Sequence, residues 1–312
     1  MPDTVARRAD PFGSPARDEG SAGERPTDAL VATASRWAVL LTPPLTGAEN
    51  MALDHALMRR AARTREGVLR IYSWREPTLS FGRHQIADGV YDREAIRAAG
   101  VAVVRRPTGG RAVLHDGEIT YSVTAPLADE CDRVDPRGTT RRSRARALYT
   151  AINHVLHAGL RRLGVPAELA SHGMTGRAAP APAGGPCFDT ATEGELVVDG
   201  RKLVGSAQWR EEGAVLQHGS ILIADHCARL LALSPTLTPP AAPVAPAAAL
   251  RDLLDPIPTP IEVAIVLGGA LDAALAAARA ATTRVLSIDS ATDAMAVTLR
   301  GRYEDAAWTW RR

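Results

Sequence analysis

The chain has 312 residues, of which 46 % are apolar and 23 % charged, with a formal net charge of +2. That length can bury a sizeable core, and the composition is ordinary for a soluble globular protein. So small a net charge gives no reason to invoke nucleic acid or a membrane surface as a partner. The three cysteines, Cys131, Cys187 and Cys227, are an odd and scattered set. With no apolar signal segment visible, they are expected to be reduced thiols of a cytoplasmic protein rather than a disulfide framework.

In chain order, residues 1–34 are rich in Pro, Gly, Ser and charged side chains, which predicts a disordered tail. Residues 37–41 read as a strand closed by Pro43-Pro44. Gly47-Ala48-Glu49-Asn50 then opens a helix that clusters Met51, Leu53, Ala56, Leu57 and Met58. Strands at 69–74 and 78–81, a helix at 92–99 ended by Gly100, and strands at 101–104 and 119–124 follow. Leu148, Ile152, Val155, Leu156, Leu160 and Leu163 hold helical spacing as far as Gly164, after an arginine-rich start at 141–146. Residues 171–186 read as a Gly/Pro-rich loop. Strands at 195–198 and 201–209 flank Asp199-Gly200, which suits a type I′ hairpin turn, and another strand follows at 214–224. A Pro/Ala-rich linker is expected at 234–260, then a helix at 261–281 and a C-terminal helical segment to 312. Strands and helices alternate irregularly and hairpins are present, so the fold class is α/β in the α+β sense: mixed, largely antiparallel sheets flanked by helices.

One stretch carries unusual chemistry: Arg105-Arg106-Pro107-Thr108-Gly109-Gly110-Arg111, running on to His115-Asp116, between two predicted strands. A glycine pair lets backbone approach a ligand, and arginines beside exposed N–H groups favour an anion. A tight turn with solvated arginines is the plain alternative, and these residues alone leave it open. The glycines match neither the phosphate-binding P-loop nor the dinucleotide fingerprint, and no Cys/His set has zinc spacing.

Cys187 stands in Gly185-Pro186-Cys187-Phe188-Asp189, and Lys202, the only lysine in the chain, follows directly after the Asp-Gly turn. A hairpin can fold the ammonium back toward the thiol, favouring the nucleophilic thiolate. Lysine kept in an arginine-dominated chain points to a place where arginine will not serve, with a snorkelling surface lysine as the bland reading. Strand alternation puts Lys202, Val204, Ser206 and Gln208 on one face. His115 and His218 are each suited to polarise a carbonyl or move a proton, or to satisfy a structural role.

Four segments then carry a family resemblance: Asn50-Met51-Ala52-Leu53-Asp54 with Leu79-Ser80-Phe81-Gly82; the glycine stretch with Glu118-Ile119-Thr120-Tyr121-Ser122-Val123; Gly200-Arg201-Lys202-Leu203-Val204-Gly205-Ser206-Ala207-Gln208; and Gln217-His218-Gly219-Ser220. In this order they resemble the biotin/lipoate protein ligase and octanoyltransferase superfamily. Arg302-Tyr303 with Trp308 is similar to its C-terminal end. Cys187 together with Lys202 is similar to the cysteine-dependent octanoyltransferases of the LipM type.

The resemblance implies a catalytic domain at 35–233 that moves an octanoyl group from acyl carrier protein to a lysine of a lipoyl-carrier protein through a Cys187 thioester. Lys202 would lower the thiol pKa, and Arg106, Gly109, Gly110, Arg111, His115, Ser206 and His218 would form the substrate-binding set. No cofactor or metal is implied. The alternatives are an ATP-dependent lipoate ligase, in which Arg105, Arg106 and Arg111 would meet phosphate, a carrier-to-carrier amidotransferase, and a non-enzymatic scaffold. Trp209, where a small polar residue is expected, and Thr190-Ala191-Thr192-Glu193-Gly194 depart from the family pattern.

Overall fold

The computed structural model describes residues 27–127, 144–171, 191–236 and 246–311. It begins with helix α1 (Asp28–Thr33) and strand β1 (Arg36–Leu41). The disordered tail expected to residue 34 is therefore corrected over 28–33. Leu30 is buried there against the main core, and the Trp37 indole N–H donates to the Leu30 carbonyl at 3.3 Å. So short a turn gets its order from tertiary packing, which composition does not register.

Helix α2 (Gly47–Thr64) starts where Thr46 and Glu49 form a reciprocal capping box, worth about 1 kcal/mol. Strands β2 (Glu66–Tyr72) and β3 (Thr78–Phe81), helix α3 (Arg93–Ala98) capped by Asp92, and strand β4 (Ala102–Arg105) follow. Next come β5 (Val113–His115), β6 (Ile119–Pro126), α4 (Arg144–Arg162) and β7 (Glu168–Leu169). The hairpin β8 (Leu196–Val198) and β9 (Arg201–Glu211) turns on Asp199 and Gly200, both at positive φ as the sequence requires. The chain closes with β10 (Ala214–Ile221), α5 (Cys227–Ala232), a 3₁₀ turn at Leu250–Asp252, α6 (Pro260–Ala277), β11 (Arg284–Val285), α7 (Ser290–Glu304) and α8 (Ala306–Thr309).

Eight strands form one sheet in the order β11-β1-β2-β6-β10-β9-β8-β7, and three form a second, β4-β3-β5. Pairing is antiparallel except at β1–β2, β1–β11 and β3–β4, so the mixed, largely antiparallel reading holds. The main core fills the space between the large sheet and helices α4 and α6, with Leu148, Ile152, Leu156 and Leu160 meeting Val123, Ile71 and Leu267. Apolar α6 lies on this core, while α7 packs on α2. A smaller core of Leu79, Phe81, Tyr91, Ile96 and Leu230 backs the three-stranded sheet.

Two expectations change here. The glycine stretch does not join neighbouring strands, because β4 lies in the small sheet and β6 in the large one. Residues 113–115, expected as loop, instead pair with β3, so the glycine loop passes over β3 within the small sheet and the chain reaches the large sheet only after β5. The linker expected at 234–260 is also partly core. Ala248 and Leu250 are fully buried, and their amides donate to the carbonyls of Lys202 (3.0 Å) and Leu222 (2.8 Å). Small apolar side chains let this strap lie flat along the ends of β9 and β10.

Candidate active site

Where β6, β10 and β9 face the small sheet, the structure holds a cavity, and five of the expected substrate-binding residues line it: Arg106, Gly110, His115, Ser206 and His218. Met51, Tyr72, Trp74, Val113, Ala207 and Gly219 complete most of the remaining wall. Gly219 is required by its neighbours: a Cβ there would sit 2.2 Å from the Gly205 carbonyl and 2.8 Å from the Tyr121 ring.

The glycine loop is held from inside. Arg106 is buried, and its guanidinium donates to the carbonyls of Gly109 (3.0 Å), Arg111 (2.6 Å) and Ser80 (3.0 Å). Arg105 is fully buried and donates to the carbonyls of Gly82 (2.6 Å), Gln85 (2.7 Å) and, in the C-terminal segment, Trp308, Thr309 and Arg311. Burial, then the charges of Arg311 and Arg106, bring Arg105 down to about 10. Gly110 sits at φ 93°, and its carbonyl presses so closely on Gly82 that a Cβ at Gly82 would lie 1.8 Å away. Arg105 and Arg106 thus tie carbonyls together rather than stand in solvent, and the plain turn with solvated arginines does not describe these two. Gly109 and Arg111 reach this arrangement through their carbonyls and do not border the cavity.

Both histidines line the cavity with both ring nitrogens engaged. His218 Nε2 lies 2.6 Å from Thr108 Oγ1 and its Nδ1 lies 3.4 Å from Asp54 Oδ2. Asp54 is fully buried and also accepts from Arg70 (2.8 Å), Ser122 (2.7 Å) and Tyr72 (3.1 Å). Burial pushes the Asp54 carboxyl up, but Arg70 and His218 outweigh it and hold it below its usual value. Burial likewise holds His218 below the usual imidazole value, against the pull of Asp54. A neutral His218 that donates through Nδ1 to Asp54 accepts at Nε2 from the Thr108 hydroxyl, which fixes the loop to the large sheet. His115 bridges Ser80 Oγ (2.7 Å) and the Glu118 carboxylate, and it stacks on Trp74 with ring centroids 3.9 Å apart. Each histidine therefore anchors the cavity wall.

Lys202 does not lie on the surface. It is buried, and its Nζ pairs with Glu195 Oε2 at 2.9 Å. The same carboxylate accepts from the Thr192 amide at 2.8 Å and the Ser206 amide at 3.4 Å. Glu195 thus links Lys202 at the start of β9 to Ser206 on the cavity wall, two strand repeats further on. Cys187, with Cys131, Arg141 and Arg142, lies outside the described residues; Cys227 is half-buried at the start of α5.

Sequence reasoning missed Asp54, Arg70, Thr108 and Glu195. Asp54 and Thr108 stand inside quoted motifs without a role of their own. Arg70 carried a usable signal as a charge within Val68-Leu69-Arg70-Ile71-Tyr72, a run that is buried throughout. Glu195 had no signal beyond its place before β8.

Residues 46–263 match the lipoyl protein ligase A/B catalytic domain. An octanoyltransferase LipM from Kyrpidia tusciae is 45 % identical over 189 residues, which cover 60 % of this chain and 66 % of that protein. One from Exiguobacterium sp. is 43 % identical over 193 residues, covering 61 % and 66 %. The chain thus spans just under two thirds of the length of these relatives. A bipartite lipoate protein ligase of Thermoplasma acidophilum, studied with its E2 lipoyl domain, superposes with a TM-score of 0.66 at 20 % identity over 88 % of this chain and 96 % of that one. At that identity the superposition speaks to the fold alone. With the family domain covering cavity, glycine loop and lysine strand alike, the chain belongs to the lipoyl protein ligase A/B catalytic-domain family.

Proposed function

We propose that this chain is an octanoyltransferase that moves an octanoyl group from acyl carrier protein to the lysine of a lipoyl-domain protein. The observation that carries this reading is the buried Lys202–Glu195 pair beside the cavity wall. Two curated relatives named octanoyltransferase LipM support it. Cys187 enters by its sequence setting and its resemblance to the cysteine-dependent enzymes.

In this mechanism the Cys187 thiolate attacks the donor thioester carbonyl. The tetrahedral oxyanion collapses, the carrier thiolate leaves and takes a proton, and an octanoyl-cysteine remains. The neutral amine of the acceptor lysine then attacks that thioester. A C–N bond forms, the C–S bond breaks, the amine loses its proton and the thiolate returns. The Lys202 ammonium favours the thiolate in both halves of the cycle. Backbone N–H groups of the glycine loop stabilise the oxyanion. The thioester supplies the activation, so no ATP and no metal takes part.

An ATP-dependent ligase on the same fold is disfavoured by Arg105 and Arg106, which are engaged by carbonyls instead of being available to phosphate. The test is transfer to a lipoyl-domain protein from an octanoyl-carrier donor without ATP, by wild type and by Cys187→Ser. Wild type is expected to modify the acceptor and Cys187→Ser to lose at least about a thousandfold in rate. Product from free acid only when ATP is added would overturn the reading.

A further inference from the structure

Three arginines near the cavity, Arg83, Arg302 and Arg311, form a cluster of like charge. Among the described residues, no carboxylate lies within 4.0 Å of Arg83, Arg302 or Arg311. The three are close to one another and to two indoles. The Arg311 guanidinium donates to the Arg83 carbonyl, and the Arg302 and Arg311 guanidiniums each lie 4.1 Å from the Trp308 ring centroid. Arg83 lies 5.2 Å from the Trp209 ring. Burial and then the charges of Arg83 and Arg302 lower Arg311 from the ordinary arginine value, so the cluster repels itself. Acids in the neighbourhood are engaged elsewhere: Glu211 lies 3.4 Å from His55, and Glu212 lies 3.9 Å from Arg59.

The cluster stands at the cavity edge. The Arg83 amide donates to the Thr108 carbonyl at 2.7 Å, and its guanidinium reaches toward the Pro107 carbonyl at 3.5 Å. The glycine loop continues from there to Gly110 on the cavity wall. On the other side, Trp209 follows Ala207, which also lines the cavity, by one strand repeat. Arg83 therefore spans from the glycine loop to β9. Trp209 supplies the aromatic surface beneath it and packs edge-on against His55 at 5.0 Å.

We propose that Arg83, Arg302 and Arg311, with Trp209 and Trp308, bind the phosphodiester that links a pantetheine thioester arm to its carrier. This names the donor feature that the octanoyl-transfer reading leaves open, and it rests on that reading. Guanidinium forks match phosphate oxygens in a way one ammonium does not, and a bound anion relieves the repulsion among the three cations. The indoles hold the guanidiniums in place from one face. An anion here sits beside the wall that receives the acyl group, so the phosphate end and the thioester end of one arm are read together.

Two measurements on the full chain test this. Calorimetric titration compares phosphopantetheine with pantetheine, which lacks only the phosphate. Wild type is expected to bind the phosphorylated compound about tenfold more tightly, with the difference shrinking at high salt. Arg83→Gln and Arg302→Gln are each expected to remove most of that difference, and Arg83→Lys to restore part of it. Equal binding of the two compounds to wild type overturns the proposal, and it does so whether or not the protein transfers octanoyl groups. The second measurement is kcat/KM with octanoyl-phosphopantetheine, octanoyl-N-acetylcysteamine and octanoyl-carrier protein. The variants are expected to lose about tenfold more with the first donor than with the second, through KM. Equal losses with the first two donors make the cluster purely structural. A loss confined to the intact carrier makes it a reader of protein surface. Either result overturns the phosphodiester site, whereas wild type inactive with every donor counts against octanoyl transfer itself.

Discussion

The glycine loop and the β8–β9 hairpin border the same cavity and bury basic side chains, and they handle charge in opposite ways. In the loop, Arg105 and Arg106 are surrounded by carbonyl oxygens and hold backbone segments in register. In the hairpin, Lys202 faces a full carboxylate, Glu195, in a buried pair. Carbonyl dipoles stabilise a guanidinium and rigidify what it touches; a carboxylate keeps a compact ammonium charged where solvent is excluded. The loop is thus scaffold for the wall, and the hairpin holds the cation that the proposed thiolate chemistry needs.

Breaking the hairpin pair should have the largest effect. Lys202→Ala leaves Glu195 buried and uncompensated, with an expected loss of about 3–5 kcal/mol in urea unfolding. The double variant Lys202→Met/Glu195→Leu should regain most of that stability while octanoyl transfer stays well below the wild-type rate. If the double variant transfers at wild-type rate, the pair is structural only. On the loop side, Arg106→Ala should cost about 3 kcal/mol, because buried carbonyls lose their donors. Arg106→Lys should recover only part, since donors on a single nitrogen cannot reach carbonyls that the guanidinium meets through separate nitrogens. Full recovery by lysine would make the loop and the hairpin equivalent in how they hold charge.

A third effect is smaller and depends on pH. Burial, with Arg59, Arg302 and Arg83 nearby, pushes His55 down to about 3. The unfolded chain then takes up a proton below about pH 6.5 that the folded chain refuses until about pH 3. Stability is expected to be level above pH 6.5 and to fall as pH drops, by about 2 kcal/mol from His55 between pH 6.5 and 5. His218, also lowered, contributes in the same direction. Urea midpoints at pH 5, 6 and 7.5 check this, and His55→Asn should flatten the slope without removing the His218 share. The smallest effect is remote from both regions: Thr46→Ala should cost about 1 kcal/mol by loss of the α2 cap and leave transfer unchanged.

Much of this was legible in the chain because it is local. Asp199-Gly200 fixed a hairpin through backbone φ, and the spacing of Leu148 to Leu160 fixed α4 and its buried face. What was not legible is non-local. Val104 and Ile119 look alike as strand residues, but whether their strands share a sheet depends on the partners β3 and β10, which no local pattern names. Asp54 meets Ser122 and His218 across 68 and 164 positions, so its role in the cavity wall appears only after folding. Ala248 and Leu250 were misread because proline-rich composition describes a chain's stiffness and says nothing of the groove it lies in. Arg106, Gly110, His115, Ser206 and His218 were brought together by motif resemblance, and of the two roles open to each histidine their partners favour the structural one.

The most direct test of the central claim is intact mass of the protein after incubation with an octanoyl thioester donor and no ATP. Octanoyl transfer through a covalent enzyme predicts a single octanoyl increment on wild type that hydroxylamine removes, with none on Cys187→Ser and a slower gain on Lys202→Met/Glu195→Leu. A lipoyl-domain protein that becomes octanoylated while the enzyme itself never carries the increment, or while Cys187→Ser performs as well as wild type, would contradict it.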